Sequence, residues 1–227
     1  LSLPPTLTSL TIEMKETMLS DTGLANLPRT LKTFVHSKNT DFTNLGMKLL
    51  PHGLEHLHLP ANDAIGDSGI KNLPPLLRTL ILRGHDVMLT AKCFGLLPRS
   101  LLGLCLRHVG SVKDTSFASL PPNLETLILP GVTKLSDQTF RHLPRLLRRL
   151  VLTSVSTFTP VLLKKLPLSI EYMNIRSTSG FASFNRKKVP TNITLVTKGR
   201  LFRSCVYSKS DLDNRMLTAW NEATEDP

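Results

Sequence analysis

Aromatic residues are scarce, at 5% of the chain, and Trp220 is the one tryptophan. Proteins that hold single-stranded nucleic acid stack bases on several aromatic side chains set among basic ones. Only Tyr172, Phe181 and Phe184 lie near the basic positions from Arg176 to Arg186, and no RNP-type or zinc-finger motif is present. Cysteine is as sparse. Cys93, Cys105 and Cys205 are odd in number and far apart, with neither a CxxC pair nor a disulfide framework. That usage favours a reducing, intracellular compartment and leaves an extracellular one open. No run approaches the roughly 18 apolar residues of a transmembrane helix. There is no Gly-rich phosphate loop and no nucleophile–base–acid triad, so the sequence does not read as an enzyme and implies no cofactor. The chain opens on Leu1 without a charged segment leading into an apolar one, and reads as a piece of something longer.

What is abundant is leucine, 44 of the 227 residues. With 41% hydrophobic and 20% charged residues, wholesale disorder is ruled out. The dipeptide Leu-Pro begins at residues 3, 27, 50, 73, 97, 120, 143 and 166, and Val189-Pro190 continues the series, always at a spacing of 23 or 24. Each is followed by LPxxLxxLxL, as in LPPLLRTLIL from Leu73 to Leu82. The first column after the proline runs from Leu7 through Leu77 and Leu147 to Ile193. The second runs from Leu10 through Leu80 and Leu150 to Val196, and the third from Ile12 through His36 and Leu82 to Ile175. The second and third columns are two apart, the strand period, so they face inward while the residues between them face out.

The other half of each repeat carries apolar columns eight and three residues before the Leu-Pro. The first runs from Leu19 to Phe158 and Phe181, the second from Leu24 to Phe140 and Leu163. Five residues apart, they suit a turn entering a short helix. Ser20-Asp21, Gly66-Asp67, Lys113-Asp114 and Ser136-Asp137 place an acid where it would N-cap that helix. The proline then ends it. One such unit cannot bury its leucines alone, so the units must stack, with their strands in a parallel sheet.

The LxxLxL core at this period resembles the leucine-rich-repeat family. The resemblance covers residues 3 to about 198 and rests on eight or nine copies. It implies an α/β solenoid: a horseshoe with a parallel concave sheet, short helices or turns on the convex side, and protein–protein recognition through an exposed inner face. One column departs from the family pattern. Its asparagine or cysteine appears only as Asn39 and Asn62, elsewhere replaced by Lys15, His85, Val109, Val132, Val155 and Thr178. The ninth repeat is imperfect, with Arg186 and Lys198 in apolar columns. The expected division is a solenoid at 1–198 and a C-terminal cap at 199–227. In the cap, Leu212, Met216 and Trp220, four apart, share one helical face, and Trp220 is expected to pack on the last repeat.

The formal net charge of +11 is concentrated. Residues 141–209 hold 14 basic residues and one acid, Glu171, whereas residues 210–227 hold one basic and five acidic. Asymmetry of this kind reports on partners. The basic patch comprises Arg141, Arg145, Arg148, Lys164, Lys165, Arg186, Lys187, Lys188, Lys198, Arg200 and Arg203. The outward strand positions are the expected contact surface: His56, His58, Thr79, Ile81, Arg83, Cys105, Arg107, Thr126, Ile128, Arg149, Val151, Tyr172, Asn174 and Arg176. Tyrosine and arginine dominate interface hot spots, which singles out Tyr172, Arg107, Arg149 and Arg176. His56 and His58 alternate on one strand, but the matching positions Thr33, Val35, Thr79 and Ile81 supply no further ligand, so no metal site is expected. Cys105 and His58 sit two strand spacings apart, roughly 10 Å, too far for a catalytic dyad. His36 reads as a hydrogen-bonded core histidine. The Asn192-Ile193-Thr194 sequon falls inside a repeat. The expected function is a non-enzymatic binding module or scaffold for an acidic protein. The alternative is a subunit of a ribonucleoprotein or membrane-associated assembly that contacts RNA or anionic lipid through residues 141–209.

Overall fold

The computed structural model describes residues 3–12, 19–36, 42–59, 64–83, 88–107, 109–152, 155, 157–175, 191–197 and 200–201. One ten-stranded sheet runs in sequence order. Its strands are β1 (Ser9–Ile12), β2 (Thr33–His36), β3 (His56–Leu59), β4 (Thr79–Arg83), β5 (Gly103–Arg107), β6 (Thr126–Leu129), β7 (Arg149–Leu152), β8 (Tyr172–Asn174), β9 (Thr194–Thr197) and β10 (Arg200–Leu201). Strands β1 to β9 pair in parallel, each in equal register with the next: Leu57 lies beside Leu80, Leu80 beside Leu104, and Leu104 beside Leu127. Only β10 is antiparallel, turning back along β9. This is the leucine-rich-repeat solenoid that the repeat period implies.

The proline column has a local cause. The residue before a proline is barred from the helical region. Leu50, Leu97 and Leu120 accordingly sit at ψ 142°, 142° and 152°, ending the helical turn. Each proline carbonyl then accepts the amide three residues on, closing a β-turn from Pro4–Leu7 through Pro74–Leu77 to Pro167–Ile170 at 3.0–3.3 Å. That turn delivers the chain to its strand in the same phase every time. The helical segments are one or two turns long: α1 (Asp21–Ala25), α2 (Asp67–Ile70), α3 (Cys93–Leu96), and 3-10 turns at Gly46–Leu49, Asp114–Ser119, Thr139–Arg141 and Pro160–Lys164.

Between sheet and helical turns lies one continuous core. All three strand columns enter it, from Leu31, Phe34 and Leu59 to Ile170, Met173 and Ile175, as do Phe94, Phe117, Phe140 and Phe158 from the helical side. Phe94 meets Phe117 edge-on at 5.9 Å, and Phe140 meets Phe158 at 5.1 Å. His36 is fully buried and edge-on to Phe42 at 6.2 Å. Val109, Val132 and Val155, which hold the family's asparagine position, are buried too; Asn39 and Asn62 lie outside the described residues.

Two column assignments shift. In the ninth repeat Leu195, not Val196, pairs with Met173 and is buried. Ile193 is already in the core, so the segment is one residue short and the inward phase advances by one. In the eighth repeat Leu162 fills the helical column and Leu163 is only partly buried. Pro160 opens that turn, with Thr159 capping the amide of Val161, and this sets a different phase.

The acids expected to N-cap their own helices do something else. Ser20 and Gly66, at the starts of α1 and α2, accept no side-chain cap bond. Instead the side chain six residues before each Leu-Pro reaches one repeat forward. Asp21 accepts the amide and hydroxyl of Thr43 at 2.9 and 2.7 Å, and Asp67 those of Thr90 at 2.9 and 2.6 Å. Asp114 accepts those of Ser136 at 2.8 and 2.6 Å and the Thr139 hydroxyl at 2.5 Å. Asp137 does the same with Thr159, and Asn44 accepts the amide of Gly66 at 2.9 Å. The Ser or Thr oxygen in turn accepts the amide two residues on, as in Leu45 to Thr43 at 3.1 Å. Gly46 makes room: a Cβ there would lie 2.1 Å from an Asp21 carboxylate oxygen. At Ala91 the column has no acceptor, and backbone takes over. Ala91 N–H donates to the Gly110 carbonyl at 3.1 Å and Gly110 N–H to that of Leu89 at 2.9 Å. A bond to the next repeat satisfies the same polar groups as a local cap and also ties two units together.

Leu127→Ala removes a fully buried side chain flanked by core leucines on both sides, and should lower unfolding free energy by about 2–5 kcal/mol in urea titration. Asp114→Ala orphans the Ser136 amide and two hydroxyls, and should cost about 1–3 kcal/mol. Burial pushes the Asp114 carboxyl up, but the hydrogen bonds from Ser136 and Thr139 outweigh it and hold it below its ordinary 3.8. A depressed native value contributes stability above the unfolded value, lost as pH falls through the native one. The Asp114→Ala deficit should therefore be full at neutral pH and shrink below about pH 4.

Candidate functional site

Alternation along each strand puts two columns on the concave side. One reads Thr33, His56, Thr79, Gly103, Thr126, Arg149, Tyr172 and Thr194. The other reads Val35, His58, Ile81, Cys105, Ile128, Val151, Asn174 and Val196. Arg83 and Arg107 form a further pair beyond them. No concave position of β1 to β9 carries an acid.

The structure thus brings together His56, His58, Ile81, Arg83, Cys105, Arg107, Ile128, Arg149, Tyr172 and Asn174 on one face. Their exposure differs from the open groove expected. Ile81, Cys105, Ile128, Val151 and Tyr172 form a second apolar cluster, separate from the main core, with exposures of 3, 1, 3, 3 and 8%. Asn174 is fully buried, and Thr33, Thr79, Thr126 and Thr194 are buried as well. Strands about 4.8 Å apart bring equal columns into van der Waals contact, so each side chain is shielded by its neighbours on both flanking strands. His56, His58, Arg107 and Arg149 are half-buried at the margins. The side-chain setting of Arg83 lies outside the described residues.

The sequence held a signal for this strip. Leu80-Ile81-Leu82, Leu104-Cys105-Leu106, Leu127-Ile128-Leu129 and Leu150-Val151-Leu152 are continuous apolar runs, the mark of strands buried on both faces. A strand with one wet face alternates instead.

His56 Nδ1 lies 2.8 Å from Thr79 Oγ1, so one histidine of the pair is engaged by a hydroxyl from the next strand. No group of three or more His, Cys, Asp or Glu side chains converges among the described residues. Cys93 is in the main core, where burial and then the nearby Asp67 charge push its thiol up to about 12.

The basic residues occupy several sides of repeats seven and eight. Arg141 and Lys164 are exposed on helical turns, with Lys165 half-buried beside them. Arg145 is exposed on the post-proline turn, and Arg148 is exposed just before β7. Arg148 binds Glu171 at 3.3 Å, the one acid of residues 141–209. Earlier repeats use the same position for Lys32–Glu55 at 3.1 Å and Glu55–Arg78 at 3.6 Å, a charge-alternating edge. The hydrogen bond from Lys32 leads in holding the Glu55 carboxyl below its usual value. Arg176, Arg186, Lys187, Lys188, Lys198 and Arg203, together with the cap helix carrying Trp220, lie outside the described residues; of Arg200 only the backbone, in β10, is described. No helix among the described residues is long and apolar enough to cross a membrane.

No family model matches the chain, and no curated protein matches it. Among solved structures it is similar to the leucine-rich repeat-containing protein LegL7 from Legionella pneumophila, at 15% identity and a TM-score of 0.43, over 100% of this chain and 93% of that one. The repeat architecture follows from this chain's own register and core.

With its thiol this far above neutral, Cys93 should resist a thiol reagent at pH 8 in the native protein and react once urea unfolds it. Peptide mass mapping of the labelled chain checks both.

Proposed function

We propose that this protein is a non-enzymatic protein-interaction module that docks an acidic protein on its concave face and basic C-terminal end. The observation that carries the reading is the composition of that face: an apolar strip with Arg107 and Arg149 at its margins, in strict register and without one acidic residue. A central apolar anchor zone with charged margins is the usual anatomy of a protein interface. Of the residues singled out, Arg107, Arg149 and Arg176 would steer an acidic partner, Tyr172 would anchor it, and His56 and His58 would border the N-terminal side. The further basic positions, from Arg141 and Arg145 to Lys187, Lys188, Lys198, Arg200 and Arg203, would extend the attraction beyond the groove.

The wide, solenoid-scale surface suits a scaffold within a larger assembly. Nucleic acid or anionic lipid is the less supported occupant. Arg148 is already paired with Glu171, and the aromatic side chains that stacking needs are few, at 5% of the chain.

Charge-steered association weakens with salt, because exposed charges are screened over about 10 Å at 0.1 M. Exchanging Arg148, Arg149 and Arg176 for Glu should slow association with a co-purifying partner several-fold at low salt, measured by surface plasmon resonance. A rate indifferent to both the exchange and the salt would refute the acidic-partner reading. Tight RNA binding with a steep salt slope would install the ribonucleoprotein reading in its place.

A further inference from the structure

We infer that the outer side of four adjacent helical turns docks on an anionic phospholipid surface. This side lies across the core from the concave face. The inference therefore goes beyond the partner reading and leaves the concave face free.

The first observation is charge. The turn Gly46–Leu49, α2, α3 and the turn Asp114–Ser119 pack in a row, each against the next. Each carries a lysine within it or capping it: Lys48, Lys71, Lys92 and Lys113. All four are exposed, and none is ion-paired among the described residues. The acids that would offset them are missing or committed. In the turn Gly46–Leu49 and in α3 the acid column holds Asn44 and Ala91. In the other two, Asp67 and Asp114 are half-buried and turned onto the next unit, at Thr90 and at Ser136 and Thr139. Beyond them the row continues into Arg141 and Lys164.

The second observation is apolar. Three large hydrophobic side chains stand exposed along the same row: Leu45 at 65%, Met88 at 56% and Leu96 at 38%. Leu45 caps the first turn and Leu96 lies on α3. Met88 flanks α2, since a Cβ built on its N-cap Gly66 would lie 3.4 Å from the Met88 Cβ. Single exposed leucines are ordinary. Three interleaved with unpaired lysines on one face are a pattern.

That pattern selects the occupant. A protein interface gathers its apolar residues into a buried centre with charge at the rim, whereas here the two kinds alternate. Single-stranded nucleic acid stacks on aromatic side chains. Among the described residues none is exposed, and Phe94, Phe117, Phe140 and Phe158 are all core. A bilayer surface uses both components. Its anionic headgroups attract ammonium groups, and its boundary region takes up apolar side chains beneath them. Lysine, a point charge on a flexible stem, suits a headgroup layer that offers no fixed bidentate geometry.

Sedimentation of the full chain with vesicles tests this without the partner of the concave face, so the two readings fail separately. Phosphatidylcholine vesicles with about one-third phosphatidylserine should carry the protein down, and pure phosphatidylcholine should not. Lys71→Gln with Lys92→Gln should weaken binding about thirtyfold, roughly fivefold for each ammonium group lost near an anionic surface. Leu45→Ser with Met88→Ser should weaken it several-fold and leave its salt dependence unchanged, because salt screens only the charged share. All four side chains are exposed, and circular dichroism melts should match that of the unaltered chain. Arg145→Gln with Arg148→Gln, on the post-proline side, should change binding by less than about twofold. Failure to sediment with either vesicle, or equal binding to both, would overturn the inference. So would loss of binding with the arginine pair but not the lysine pair, which would move the lipid surface to the basic C-terminal end. Duplex RNA bound more tightly than vesicles, and released by the same lysine exchanges, would assign the row to nucleic acid instead.

Discussion

No repeat of this protein has an interior of its own. Three or four leucines on a strand, a turn and a single helical turn become a core only when the next unit lies against them. Everything else follows from keeping that contact in phase. Parallel strands set about 4.8 Å apart demand that equivalent residues align, and equal register from β1 to β8 achieves it. The post-proline turn resets the phase at each repeat. The forward-reaching acids secure it on the other side of the core, so sheet and helical turns are held by separate hydrogen-bond series. Where one series lacks its side chain, at Ala91, backbone pairing with Gly110 fills the gap.

The same stacking makes the concave surface. Residues that never meet in sequence, such as Ile81, Cys105, Ile128 and Val151, become a continuous apolar strip because they share a column. Arg83 beside Arg107, and the alternating charges of Lys32, Glu55 and Arg78, are column effects too. Such a surface takes its character from the order of its columns rather than from any single residue. Its described columns carry no acid, and the apolar strip at its centre is deeply buried.

The period, the parallel solenoid and nearly every core position were legible in the sequence, because each obeys a rule read along the chain: 23 or 24 between prolines, two between inward residues. Leu195 and Leu162 escaped because one residue of slack in the local geometry moves a column, and only neighbours decide where the slack is taken up. The acids at Asp21, Asp67, Asp114 and Asp137 were visible as a column, but a carboxylate near a helix start serves its own helix or the next repeat equally well on paper. The distance to Thr43, Thr90, Ser136 and Thr159 decides it. Alternation along each strand showed which residues share the concave side, but not that Ile81, Cys105, Ile128 and Val151 are buried there. By itself, then, the sequence determined which residues recur in phase, since periodicity is a one-dimensional property. Tertiary structure alone decided which polar groups bond across repeats and which outward side chains are covered, since both depend on what lies against a residue in space rather than before or after it.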